Sequence, residues 1–315
     1  MKDIVLEQAA LSVQTRRRIR DYVYETPSLP ARSDASLFFK AENFQHTGSF
    51  KFRGAASKMT AIARGQGLIT ASSGNHGIAS AKAASLTGNK LTVVLPKNVT
   101  SAKLGRIKAY GVEILLEGDE SGAAETYAQG AAAGRGLVYV SPYNDPDIIA
   151  GQGTIGLELL EQHKHIDAVF IAMGGGGLIS GIASVMKSYS PDTKIIGVAA
   201  ESSAALAASM TAGRIVEVEH HPTLADGVAG GVDADSMTLP LAMATIDEVI
   251  HCSEAEITAA LRKLVREESM IVEGAAGLAY AGFLKHKPAK PGTVNVVVLC
   301  GANVDAQKIL TIAGN

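Results

Sequence analysis

The chain has 315 residues, 47% hydrophobic and 19% charged, which sets it among globular proteins of one large or two smaller domains and excludes extended disorder. With 29 basic against 31 acidic residues the net charge is −2, so no strongly basic face organises the molecule and nucleic acid is not an expected partner. Trp is absent and aromatics are 5%, which also argues against a base-stacking platform.

The N-terminal stretch has helical spacing, and Arg16-Arg17-Arg18 is expected to form a solvated face of that helix. Its start shows no long apolar run before a cleavage site, and no apolar run along the chain reaches membrane-spanning length. A cytoplasmic protein without membrane contact is therefore expected. The two cysteines, Cys252 and Cys300, are too few for a disulfide framework or a structural zinc site. The histidine pairs His163/His165 and His220/His221 lack a further ligand at helical spacing, so no metal is expected.

Beyond the first helix, short β-branched runs alternate with Ala-rich helical stretches. Strands are predicted at 37–41, 67–70, 90–96, 112–117 and 137–140, with helices at 100–110 and 121–133 between them. Further strands are predicted at 167–173, 194–200, 248–252 and 293–299, with helices at 178–187, 254–268 and 274–286. Strands separated by helices of ten or more residues imply parallel sheets covered on both faces. The units exceed one compact sheet, so the expected fold is α/β with two doubly wound lobes.

In such sheets ligands bind beyond the carboxyl ends of strands, and four loops there carry unusual residues. Thr47-Gly-Ser-Phe-Lys-Phe-Arg-Gly54 follows the 37–41 strand, with Ser49 as a candidate N-cap and Lys51 in the first helical turn. A cation there opposes the helix dipole, and burial would bias its amine further toward the neutral, nucleophilic form. Thr70-Ala-Ser-Ser-Gly-Asn-His-Gly77 opens an Ala-rich helix and offers backbone N–H groups to an anion. Gly174-Gly175-Gly176-Gly177 lies between a strand and a helix, where four glycines allow close wrapping of an anion. Leu299-Cys-Gly-Ala-Asn303 ends the last strand and places Cys300 where a small side chain can meet a planar ligand. Each segment alone also has a plain structural reading: a solvated lysine, a capped helix, a tight turn, an inert buried thiol.

Two features imitate nucleotide sites. Gly151-Gln-Gly-Thr-Ile-Gly156 matches the dinucleotide fingerprint but lies within a helical stretch, not after a strand. The unit from Asp167 to Glu201 runs strand, glycine loop, helix, strand and carboxylate, as in nicotinamide-dependent dehydrogenases, yet four consecutive glycines lack the required spacing.

Together, and in this order, Asn43–Ala55, Ser72–Gly77, Gly174–Gly177 and Cys300–Asp305 resemble the cofactor-lysine, carboxylate-loop, phosphate-cup and final cofactor segments of pyridoxal-phosphate enzymes of the tryptophan-synthase β-like fold. The chain is most similar to the threonine/serine dehydratase and serine racemase branch. The resemblance implies that Lys51 carries pyridoxal 5'-phosphate as a Schiff base and later moves the Cα proton. It further implies that Phe50 packs beside the ring, and that Asn75 bonds the ring oxygen. Gly174, Gly175, Gly176, Gly177 and Leu178 would hold the phosphate, Cys300 would meet the pyridine nitrogen and Glu273 would line the site. The substrate would lie on Ser72, Ser73, Gly74, Asn75 and His76, with Ser73 across from Lys51 as the second proton-transfer group of a racemase. The implied function is a dehydratase that turns a 3-hydroxy L-amino acid into a 2-oxo acid and ammonia, with an amino-acid racemase as the alternative. A protein that binds the cofactor or an amino acid without turnover is the non-enzymatic alternative.

The resemblance also implies a large cofactor domain, 1–56 with 144–315, a small mobile domain, 57–143, a cofactor in the cleft between them, and a homodimer. Some serine racemases hold a divalent ion beyond the strand ending near Glu201. Ala205 and Ala207 stand where its partners would be, so that site is not expected. His46, Tyr143 and the 223–226 segment are expected to set the preference among threonine, serine, 3-hydroxyaspartate and aryl serines.

Overall fold

Continuous apolar strands such as Ala168–Ala172, Leu68–Ala71 and Asn295–Val298 are buried at every position, as strands covered by helices on both faces must be. The computed structural model describes residues 2–63, 65–286 and 292–314. Its elements run α1 (Lys2–Ile19), β1 (Ser28–Pro30), β2 (Leu37–Lys40), α2 (Lys51–Ala61), β3 (Leu68–Ala71), α3 (Asn75–Thr87), β4 (Leu91–Leu95), α4 (Ser101–Lys108), β5 (Glu113–Leu116), α5 (Ser121–Arg135) and β6 (Val138–Tyr139). They continue with α6 (Pro146–Gln162), β7 (Ala168–Ala172), α7 (Gly177–Tyr189), β8 (Lys194–Ala200), α8 (Ala205–Ala212), α9 (Thr238–Thr245), β9 (Glu248–Cys252), α10 (Glu254–Arg266), α11 (Gly274–Lys285), β10 (Asn295–Val298) and α12 (Ala306–Gly314).

The strands form two sheets. The smaller is all parallel, in the order β5-β4-β3-β6. The larger has the order β1-β2-β10-β7-β8-β9 and is parallel except for β1, which pairs antiparallel with β2. The fold is thus α/β with two mostly parallel sheets. The sequence pattern misses only β1. It is three residues long and ends in Pro30, and an edge strand tolerates a residue with no N–H to donate. Among the described residues no helix is long and apolar enough to cross a membrane.

The strand order builds the site. β10 lies between β2 and β7, so the chain leaving β2 toward Lys51 runs beside the chain leaving β10 toward Cys300. Backbone bonds join them: Asn43 N–H donates to Leu299 O at 2.9 Å, and Phe50 N–H to Cys300 O at 3.0 Å. The loop after β7, with its four glycines, emerges alongside.

The glycines of the false fingerprint serve packing. They lie inside α6, where a Cβ on Gly151 would come 2.5 Å from Arg53 O and one on Gly153 2.2 Å from Ser12 Oγ. They let α6 sit close against α2 and α1. The arginine run departs from expectation as well. Arg16 pairs with Glu161 of α6, Arg18 with Asp147 at 3.1 Å, and of the three only Arg17 is exposed. Beneath α2 a buried knot of charges fixes the helix. Arg53 bonds Glu42 at 2.8 Å and Glu158 at 2.5 Å, and Lys40 bonds Glu158 at 2.5 Å. Two cations thus face two carboxylates, the balance that buried charge requires.

Candidate active site

The lysine loop departs from its expected capping. Ser49 is extended and bridges Gly301, its hydroxyl has no hydrogen-bond partner, and Phe50 stands at the N-cap without a side-chain bond. Pairing with the β10 exit has taken Ser49 away from the helix. Lys51 still begins α2, and its Nζ donates to Pro142 O at 2.8 Å and lies 5.2 Å from the centre of the Phe50 ring. Burial lowers its pKa from 10.5 to about 8, with Cys300 and Glu273 acting the other way.

Lys51 opens onto a cavity of about 630 Å³. The cofactor and substrate residues that the resemblance implies all line it, namely Phe50, Lys51, Ser72, Ser73, Gly74, Asn75, His76, Gly174, Gly175, Gly176, Gly177, Leu178, Glu273 and Cys300, whereas of the expected specificity residues only Tyr143 and Asp226 do. Four loops from both sheets therefore converge on one space.

The glycine loop has steric reasons for its composition. A Cβ on Gly175 would lie 2.6 Å from the Tyr143 ring, one on Gly174 2.9 Å from Val228, and Gly176 adopts φ +91°. Thr238 Oγ1 donates to Gly175 O at 2.7 Å and steadies the turn. Gly176 is the N-cap of α7, and no side chain caps that helix. Its first-turn N–H groups lack acceptors within the helix, and the dipole adds positive potential there. α3 likewise begins behind Gly74 with no side-chain cap.

Asn75 is held from two sides. Its Nδ2 donates to the Glu273 carboxylate at 2.9 and 3.0 Å, and its Oδ1 accepts from Asn303 Nδ2 at 2.7 Å. Burial raises the Glu273 carboxyl above its usual range, against the pull of the Asn75 and Asn303 hydrogen bonds. Burial, and then Glu273, push the Cys300 thiol well up, so it is a neutral weak donor, 3.9 Å from Glu273 Oε1.

Two histidines differ from expectation. The His46 ring lies tilted over Tyr24 at 3.7 Å and meets Phe52 edge-on at 5.1 Å, and it does not line the cavity. The His76 ring turns into the smaller sheet, where Nε2 meets Thr70 Oγ1 and Val140 O, each at 3.0 Å. Burial, with the Lys51 charge second, pushes its pKa down to about 3, so the ring is neutral. Glu201 is exposed and outside the cavity, which removes the ribose partner of the dehydrogenase reading.

Sequence reasoning missed Glu125, Asp233 and the supporting role of Asn303. Glu125 comes from α5 and Asp233 from the loop before α9, and both line the cavity. No local pattern marks them, because each meets the cavity only through the packing of distant segments. Asn303 sits inside a recognised motif, yet its contacts to Thr47 O, at 2.7 Å, and to Arg106 of α4 depend on tertiary placement.

A lysine amine of lowered pKa beside an uncapped, glycine-lined helix start, in a cavity between two α/β sheets, defines an enzyme that holds a phosphorylated aldehyde cofactor. The donors fit that cofactor: free N–H groups for a dianion and an amine for an aldehyde. The family model of pyridoxal-phosphate dependent enzymes matches residues 19–301, and the chain belongs to that family. It is 36% identical over 304 residues to the L-threonine ammonia-lyase of Thermotoga maritima, covering 94% of this chain and 75% of that one. It is 36% identical over 303 residues to the L-threo-3-hydroxyaspartate ammonia-lyase of Saccharomyces cerevisiae, covering 94% and 93%. The processed form of threonine deaminase isoform 2 from Solanum lycopersicum superimposes with a TM-score of 0.90 at 32% identity, covering 99% of this chain and 89% of that one.

Proposed function

We propose that this protein is a pyridoxal-phosphate-dependent ammonia-lyase that converts a 3-hydroxy L-amino acid of the threonine or serine type into a 2-oxo acid and ammonia. The observation that carries the proposal is the Lys51 amine, lowered to about 8 within a cavity that also holds the uncapped glycine turn. The names of the relatives point the same way. Bound pyridoxal phosphate supplies an aldehyde to capture the substrate amine and a conjugated ring to withdraw electrons from Cα.

The chain's own groups do the rest. N–H groups of residues 174–178 and the α7 dipole would hold the cofactor's phosphate. Asn75, fixed by Glu273 and Asn303, keeps one N–H for the ring oxygen. The start of α3, with Ser72, Ser73 and Gly74, receives the substrate carboxylate, and His76 contributes its backbone rather than its engaged ring. Lys51 takes the Cα proton as the 3-hydroxyl departs, and that proton and hydroxide together make up the one water lost. The released enamine tautomerises to an imine and hydrolyses to the 2-oxo acid and ammonia. The neutral Cys300 thiol would offer the cofactor's ring nitrogen only a weak donor, which favours prompt elimination over amino transfer.

Residues 57–143 would form a small mobile lobe closing on 1–56 with 144–315, in a cytoplasmic homodimer. The purified protein should be yellow and form 2-oxo acid from serine or threonine. Lys51→Ala should lose that activity by about a thousandfold or more, and unchanged turnover in this variant would overturn the proposal. Ser73 lines the same cavity as Lys51, which favours racemisation as a second activity. Chiral analysis of unreacted serine, with Ser73→Ala as control, separates the two.

A further inference from the structure

The proposed reaction leaves the substrate's side chain open, and the charge on the cavity walls narrows it; this inference rests on the ammonia-lyase reading. Among the described residues that line the cavity, Lys51 is the only lysine or arginine, and His76 is neutral and engaged. Four carboxylates line the same space: Glu125, Asp226, Asp233 and Glu273. Glu273 is occupied by Asn75 and the Asn303 N–H. Asp226 is largely exposed, 3.7 Å from Lys308. The other two stand on opposite walls. Glu125 projects from α5 on the smaller-sheet side and accepts from the Tyr139 hydroxyl at 2.9 Å. Asp233 lies on the larger-sheet side and accepts from Asn144 Nδ2 at 3.2 Å, while Tyr143 Oη accepts from its backbone N–H at 2.8 Å. Both carboxylates therefore have neutral partners, and neither is neutralised by a cation in these contacts. They are within electrostatic reach: burial first, and Asp233 in addition, raise the Glu125 carboxyl against the lowering effect of Tyr139.

We propose that Glu125 and Asp233 are specificity-determining residues that reject a second carboxylate, so that the site takes 3-hydroxy amino acids with uncharged side chains and discriminates against 3-hydroxyaspartate. With Lys51 committed to the cofactor, a side-chain carboxylate would meet two like charges and no cation. Water solvates that group better than these walls can. A methyl or hydrogen in its place meets no such penalty.

Binding and turnover test this separately. L-2-Aminobutyrate and L-aspartate lack the leaving hydroxyl, so titrating the holoenzyme with each and following cofactor absorbance reads affinity without elimination. Half-saturation by aspartate is expected at a concentration at least about tenfold higher. Glu125→Gln keeps the size and an acceptor for Tyr139, and should shrink that gap about threefold or more. Asp233→Asn, a second variant on the opposite wall, should act in the same direction. Equal affinities in the unaltered enzyme, or a gap that neither variant changes, would overturn the proposal. So would a kcat/KM for threo-3-hydroxyaspartate equal to or above that for serine, which would leave the ammonia-lyase reading intact. Conversely, a preference for aminobutyrate with no 2-oxo acid from serine or threonine would overturn the ammonia-lyase reading and support the selectivity of the walls.

Discussion

At the scale of single residues, the protonation of Lys51 is the controlling variable. Burial lowers its pKa from 10.5 to about 8, so the folded protein releases this proton before the unfolded chain does. Between those two values the unfolded state binds more protons, and the contribution of Lys51 to stability rises with pH; below about 8 both states are protonated and the full cost of a buried cation applies. The same value governs capture of an aldehyde, which needs the free amine. In protein stripped of cofactor, the rate of reloading with pyridoxal phosphate should rise with pH around a midpoint of about 8, followed by the return of visible absorbance. A midpoint above 10 would contradict the buried environment of the amine.

Lys51 and the four glycines are legible in the sequence because each is a local signal: a reactive residue at a helix start, and a turn composition that ordinary loops do not need. His46 and His76 are not legible. Both lie inside recognised motifs, yet the direction of each ring is set by partners far along the chain, Tyr24 for one and Val140 for the other. Glu125 and Asp233 carry no motif at all.

At the scale of elements, helix glycines separate into two kinds. Gly153 lies in α6 where an added Cβ would stand 2.2 Å from Ser12 Oγ and 3.0 Å from Gly181 O, between α1 and α7. Gly130 lies in α5 with nothing within 4 Å. Gly153→Ala should therefore destabilise the protein by about 1–3 kcal/mol through overpacking. Gly130→Ala should stabilise it by about 0.4–1 kcal/mol through the unfolded state. Denaturant midpoints on the two variants check both signs. Strand and helix order was readable from periodicity, because buried parallel strands are apolar throughout and their covering helices are Ala-rich. β1 was not, since three residues ending in proline carry no periodicity. The Gly151–Gly156 run shows the opposite risk: a ligand fingerprint can arise from helix packing, and only its position within a helix distinguishes the two.

At the scale of the whole molecule, the two sheets are tied through a short chain of polar side chains. Arg106 on α4 donates to Asn303, Asn303 to Asn75, and Asn75 to Glu273. The Arg106 contact is solvent-exposed, so its loss should cost little folding stability. If the small lobe closes on the substrate, removing this tie lowers the closed population. Arg106→Ala should then raise KM for the amino acid about threefold to tenfold while kcat changes less, as steady-state kinetics would show. Two sheets are legible from the number of strand–helix units. The order of strands in the larger sheet is not, and that order is what brings residues 51 and 300 together across some 250 positions of chain.

The placement of β10 also has a consequence for biosynthesis. Strand Asn295–Val298 fills the gap between β2 and β7, and its exit supplies Cys300 and Gly301. Until that segment clears the ribosome, the larger sheet stays divided and the lysine loop has no neighbour to pair with. The smaller sheet, complete by Tyr139, can assemble while translation continues. Coenzyme retention should therefore depend on this strand, and a chain cut before Asn295 should fail to hold it.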